Sequence, residues 1–371
     1  QEILVSLHMH TRYSDGSGLH KDVIDEAHNA GLDCIVFTDH NIRVEGIEGY
    51  YRKGSHKLLV ISGEEIHNQA RQPQKNHLLA FGHTHELASY GYDPQLLINK
   101  VTAEKGLTFL AHPVDRALEM FHDPDISWVD WDVRGYTGLE IWNGFAELKF
   151  RLKSYLQGVF YAYNPDTYSI GPQSKMMEIW DDLTKSGKQV VGVCGADAHA
   201  LKMSLGPLKR SVFPYGFHFR SLLNHVLIPE LLSGDYQRDR QAILQAFRNG
   251  SCYIGNNIPA SAQKFRFYAQ TDHGDVQIGG KGRINKSATL QIRLPLPAEC
   301  RLIKDGKLFK GWKSGEIFNV IVNEPGAYRV EACMNYLGKP RSWILSNPIY
   351  LVTDFPAVEK NPWSQTTLPD F

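Results

Sequence analysis

The chain has 371 residues, and its 40 Lys+Arg balance 40 Asp+Glu, so the formal net charge is zero with histidine neutral. No basic surplus points to nucleic acid or to an anionic membrane as partner, and no stretch is apolar for long enough to span a bilayer as a helix. The length accommodates one large domain plus a smaller one.

The cysteines are Cys34, Cys194, Cys252, Cys300 and Cys333, an odd number without a CxxC pair. Cys34 and Cys194 lie in apolar runs and read as small core residues, while Cys300 and Cys333 could be bridged. The chain begins at Gln1. A removed signal and a shortened chain both account for that, so the compartment stays open between cytoplasm and bacterial envelope.

Short apolar runs at residues 3–7, 34–38, 58–62, 77–81, 107–111, 138–142 and 189–195 are expected to be strands. Helical patterns fall at 20–30, 94–105, 146–158, 173–187, 219–233 and 236–250. Gly31, Gly106 and Gly187 stand where a helix should stop before the next strand. Val/Ile/Leu-rich strands separated by helices indicate βα units and a parallel sheet buried on both faces. Seven such strands favour a barrel over an open sheet.

From about residue 264 the helices cease. Strand-like runs at 265–269, 288–294, 301–303, 317–322, 328–333 and 343–352 are separated by turn signals at Asp305-Gly306 and Pro325-Gly326. A small antiparallel β-sandwich is expected, giving domains 1–262 and 263–371, with residues 356–371 as a surface tail.

The residues just past each barrel strand carry the chemistry. The first strand leads to His8, His10 and Asp15, and the second to Asp39 and His40. The third leads to Gly63-Glu64-Glu65, the 107–111 run to His112, and the last to Asp197 and His199. The 138–142 run contains Glu140 and ends at Asn143. In a parallel barrel these ends share one face, where catalytic groups gather. Imidazoles and carboxylates are the ligands of zinc, manganese or iron. His77 opens its strand instead of following one, so counting does not bring it to that face.

These motifs resemble the polymerase and histidinol phosphatase (PHP) family of metal-dependent hydrolases. The matching residues are His8-Met9-His10 with Ser14-Asp15-Gly16, Thr38-Asp39-His40, Gly63-Glu64-Glu65, Ala111-His112-Pro113 and Asp197-Ala198-His199. The trailing β domain and Ser346-Asn347-Pro348-Ile349-Tyr350 are most similar to the carbaryl-hydrolase-type (CehA/McbA-like) subgroup. The resemblance implies a distorted seven-stranded (β/α) barrel with two or three divalent metals. His8, His10, Glu65 and Asp197 would hold one; Asp15, His40 and His199 a second; Glu65, His77 and His112 a third. Glu64 is the fallback for Glu65, and His83 or His85 for His77.

The expected reaction is in-line attack by a bridging hydroxide on a small phosphate ester, with His112 and His199 as catalytic imidazoles. Arg210 would bind a phosphate oxygen, with Lys209 beside it; Arg116 has a similar standing. Asp39 would either orient a ligand imidazole or cap a strand end. The aromatic-rich segment 155–172 is either a lid or packing against the sandwich. Hydrolysis of a carboxylic or carbamate ester by the same site is the main alternative, and a non-catalytic binding module a further one.

Overall fold

The computed structural model describes residues 1–206 and 208–353; the tail expected at 356–371 lies outside them. Seven strands follow one another in space in chain order: Glu2–Ser6, Cys34–Phe37, His56–Ile66, Leu78–Phe81, Leu107–Leu110, Gly138–Asn143 and Val191–Gly195. Their alternate residues converge on one apolar cluster that includes Ile3, Val5, Cys34, Val36, Leu59, Ile61, Phe81, Phe109 and Val193, with Phe247 of the Tyr236–Arg248 helix packed into it. Beyond their ends the first and last strands are tied by backbone bonds, Ala196 N to Leu7 O at 3.0 Å and His10 N to Ala198 O at 3.0 Å.

The run is not uniformly parallel. Leu78–Phe81 pairs antiparallel with both of its neighbours, His56–Ile66 and Leu107–Leu110. The apolar pattern of a four-residue strand buried on both faces does not encode its direction. An added hairpin strand, Gly49–Lys53, pairs antiparallel with the start of His56–Ile66.

Two expected helices differ. The segment 219–233 holds the end of a short helix, Tyr215–Ser221, and then a strand, Leu222–Leu227. That strand lies between Glu2–Ser6 and Cys252–Asn256, antiparallel to both, and its residues are buried on both faces. Such a sequence has no polar stripe by which to tell helix from strand. The helix expected over 146–158 is two, Gly144–Arg151 and Tyr155–Tyr163. The second is restarted by Ser154, whose hydroxyl accepts from Gln157 N.

The C-terminal strands form two sheets around a second core, among them Phe267, Leu290, Val320, Leu302, Val330 and Trp343. One sheet is four-stranded: Gly274–Gln277, Arg266–Thr271, Ala288–Arg293 and Ile317–Val322. The other continues the N-terminal sheet, because Cys252–Asn256 pairs antiparallel with Lys339–Ser346. All five cysteines are free thiols, so Cys300 and Cys333 on adjacent strands are not bridged. Among the described residues no helix is long and apolar enough to cross a membrane.

Candidate metal centre

Three of the expected ligands sit in left-handed backbone just past their strands: His8 (φ 62°), His112 (φ 28°) and Asp197 (φ 51°). Such conformations cost about 1 kcal/mol or more each for residues with a Cβ. They are held by the bonds that tie the strand ends together, such as Ala198 N to His8 O at 3.2 Å. The Ser14-Asp15-Gly16 turn is locked by Gly16 N to Thr11 O at 2.9 Å, and a Cβ on Gly16 would overlap the His10 carbonyl. Asp39 accepts from Thr11 N (2.6 Å) and Ser14 Oγ (2.8 Å), so it fastens this loop. The imidazole beside it is His20, at 3.5 Å, and not one of the expected ligands.

Four donor atoms form a compact nest. His8 Nε2 and His10 Nε2 lie 3.0 and 3.1 Å from Glu65 Oε2, and 3.4 and 3.3 Å from Asp197 Oδ1. Ligands about 2.1 Å from a tetrahedral cation are themselves about 3.4 Å apart, and the His8, His10 and Glu65 donors together form a group that could hold an ion. His10, Asp15, His40 and His199 make a second group, with His199 Nε2 3.3 Å and His40 Nε2 3.7 Å from the Asp15 carboxylate. Around the other Glu65 oxygen, His77 Nδ1 stands at 2.8 Å and His112 Nε2 at 2.9 Å.

His77 reaches the cluster because its strand is reversed: the start of Leu78–Phe81 lies where its neighbours end. The fallback residues point elsewhere. Glu64, next to Glu65 in the same strand, faces the opposite side and accepts from His83 Nε2 (2.9 Å) and Leu87 N (3.0 Å). His85 is exposed and pairs with Glu104.

The donors suit a cation in a second respect. His10 Nε2 and His40 Nδ1, which face Glu65 Oε2 at 3.1 and 3.2 Å, are buried without a hydrogen-bond partner, a costly state for polar nitrogens. The local field favours positive charge. Burial pushes the His10 imidazole down, but Asp197 and Glu65 override it and hold the ring at about 10. Glu65, which burial alone would raise, is pulled well below the carboxylate range by His8, His40 and His77. Burial lowers His40 to about 3, against the pull of Glu65 and Asp15.

Several supporting residues carry no motif. Glu140 is fully buried; its Oε1 accepts from His8 Nδ1 at 2.7 Å, which leaves Nε2 facing the nest. Its Oε2 accepts from His112 N (2.7 Å) and from Asn143 Nδ2 (2.9 Å). Asn143 also donates to Asp197 Oδ2 at 3.2 Å. A carboxylate within the apolar Gly138–Asn143 strand was the available signal. His67 stacks on His77, centroids 4.3 Å apart. His199 Nδ1 donates to Asp197 O at 2.9 Å, fixing its tautomer with Nε2 toward Asp15.

A cavity of about 530 Å³ adjoins the cluster, with Asp15 and His199 in its wall. Arg210 also lines it, on the hairpin Leu201–Leu205/Leu208–Val212. Its guanidinium lies over the Tyr163 ring at 5.0 Å. Arg116 is not at the site; it donates to Lys149 O and Leu152 O and ties down the end of the Gly144–Arg151 helix. The aromatic segment meets both the cavity and the C-terminal sheet. Its helix Tyr155–Tyr163 lines the cavity, while Arg341 of the Lys339–Ser346 strand binds Asp166 O and Ser169 O.

The class of protein defined by this site is a metal-dependent hydrolase. The model of the PHP domain matches residues 6–161 of the chain. Among solved structures it is similar to a two-domain protein from Bacteroides vulgatus containing a predicted PHP-like metal-dependent phosphoesterase. The identity is 15%, over 94% of this chain and 95% of that one, with a TM-score of 0.43. It is also similar to an amidohydrolase from Chromobacterium violaceum with bound sulfate and no metal, at 13% identity over 57% of this chain and 92% of that one, TM-score 0.29. No curated protein sequence matches the chain.

Proposed function

We propose that the protein is a phosphoesterase that cleaves a small phosphate ester using two or three divalent ions, of zinc, manganese or iron. The observation that carries this reading is the approach of His8 Nε2 and His10 Nε2 to both Glu65 Oε2 and Asp197 Oδ1, at 3.0 to 3.4 Å. We assign one ion to those residues, a second to Asp15, His40 and His199 with His10 at its edge, and a third to Glu65, His77 and His112. Ions so bound lower the pKa of water to about 7 and neutralise charge on phosphoryl oxygens.

The chain supplies the orientation. Glu140 sets the His8 tautomer, and the Asp197 carbonyl sets that of His199. His112 and His199 are the imidazoles we assign to the reacting group, and Arg210, in the cavity wall, to a phosphate oxygen. In this reading the seven strands are a distorted barrel within a unit of residues 1–262, residues 263–371 are a β-sandwich unit, and the chain is of the carbaryl-hydrolase type. A second reading, hydrolysis of a carboxylic or carbamate ester, draws on the largely apolar cavity wall.

The test is to load the protein separately with zinc, manganese and iron, measure metal per chain, and assay p-nitrophenyl phosphate, bis(p-nitrophenyl) phosphate and 1-naphthyl N-methylcarbamate. Release of p-nitrophenol from at least one of the two phosphate esters is expected. Carbamate turnover with no p-nitrophenol release from either overturns the proposal in favour of the second reading.

A further inference from the structure

We infer that the cavity beside Asp15 and His199 is a specificity pocket for a bulky apolar group, so that the substrate is an ester of an aromatic or large hydrophobic alcohol. This rests on the hydrolase reading and adds what the ester carries. The cavity's volume, about 530 Å³, lies in the range that holds a small organic molecule. Phe145, Leu148, Leu152, Val159 and Phe213 supply its walls, while Asp15 and His199 close it toward the metal cluster. A group seated here is therefore contiguous with the reacting centre. Among the described lining residues Arg210 is the one permanent cation, and Asp123 is already paired with Lys149 at 3.1 Å. A sugar or nucleotide moiety would leave its hydroxyls facing hydrocarbon, whereas a ring or branched chain would lose only its contact with water.

A second observation concerns the mouth. The Tyr155–Tyr163 helix, one wall of the cavity, leaves Tyr155 55%, Phe160 52% and Tyr163 44% exposed. Large aromatic side chains exposed on a nine-residue helix extend the apolar character of that wall to the surface. Gly158 on that helix also lines the cavity, and a Cβ there would meet only the Leu152 side chain, at 3.4 Å. A larger residue at 158 can thus fill the pocket without striking backbone.

Two measurements on the metal-loaded protein test this. In the first, 2-naphthol is titrated by fluorescence into the wild-type protein, Gly158→Leu and Ser204→Trp; Ser204 is an exposed residue of the cavity-lining hairpin. Saturable binding to one site is expected, weakened at least tenfold in both variants, with circular dichroism and metal content checking their folding. In the second, ethyl and 2-phenylethyl phosphate, whose alcohols are comparable leaving groups, are compared by kcat/KM. A preference of ten- to hundredfold for the phenylethyl ester is expected in the wild type, falling toward one in Gly158→Leu. Absence of 2-naphthol binding, or binding unchanged in both variants, overturns the pocket. Self-association that excludes 2-naphthol overturns it too and makes this face an interface between copies. If 2-naphthol binds as expected and only a naphthyl carbamate or carboxylate is hydrolysed, the pocket stands and the phosphate reading falls.

Discussion

Gly195 is the position at which the metal centre can be disturbed most sharply without touching a ligand. A methyl group there would overlap Glu140 Oε1 and stand 2.7 Å from His8 Cβ. Neither side can yield freely, because both Glu140 and His8 are fully buried. Gly195→Ala must therefore displace the carboxylate from His8 Nδ1, and with it the bonds from His112 N and Asn143 Nδ2. Hydrogen bonds to a buried charged group contribute about 1.5–3 kcal/mol each. The reduced backbone freedom of alanine in the unfolded chain returns about 0.4–1 kcal/mol. With partial relaxation, a net loss of about 3 kcal/mol is expected, which in a chain of this length lowers Tm by about 4 °C. His8 also loses the group that fixes its tautomer, so metal affinity should fall about 10- to 100-fold. Thermal denaturation and competition against a fluorescent chelator measure the two effects. Glu140→Gln, which retains an acceptor oxygen, should fall between wild type and Gly195→Ala. Wild-type Tm and metal affinity in Gly195→Ala would refute the role given to Glu140.

His8→Ala and Asp197→Ala should each abolish hydrolysis and reduce metal per chain by elemental analysis while circular dichroism stays native-like; full activity in either contradicts the ligand assignment. Glu2 is held down from 4.5 to about 2: burial opposes this, but His225, Tyr253 and Arg266 side chains and Lys264 N override it. A depressed carboxylate adds stability above pH 4.5 that is lost as pH falls toward 2. Glu2→Gln should therefore flatten the acid limb of urea midpoints measured against pH, and an unchanged limb would contradict it. Arg341 is buried and donates to Asp166 O, Ser169 O and Thr167 O. Arg341→Leu should cost about 3 kcal/mol in urea unfolding and speed proteolysis within 152–172; unchanged cleavage would show that this contact does not hold the segment.

The positions proposed as ligands, which the fold brings together, were legible because strand ends are marked in the sequence. An apolar run stops and a histidine or carboxylate comes next, and folding then brings residues as distant as His8 and His199 to one place. His77 was legible only through the resemblance, since strand direction leaves no trace in an apolar run buried on both faces. Glu140 was visible as a carboxylate in an apolar strand, yet its partner His8 is 132 residues away and could not be read locally. The helix expected over 219–233 failed for a related reason. Leu222 to Val226 are packed from both sides, and Asn224 takes a strand partner's place by bonding Cys194 N and O (3.0 and 2.7 Å). Periodicity reports burial on one side and is silent where both sides are covered.

Asn347 gives the architecture an order in time. Its side-chain amide accepts from Gly192 N (2.8 Å) and donates to Gly192 O (2.9 Å) and Cys252 O (3.0 Å). It thereby pins the strand that delivers Asp197 and His199. A nascent chain emerging from the ribosome has made every one of the nine assigned ligands by residue 199, but this clamp arrives only about 150 residues later. The centre should accordingly mature late in synthesis, when the closing strands dock and the two halves of the molecule are spliced through a shared sheet.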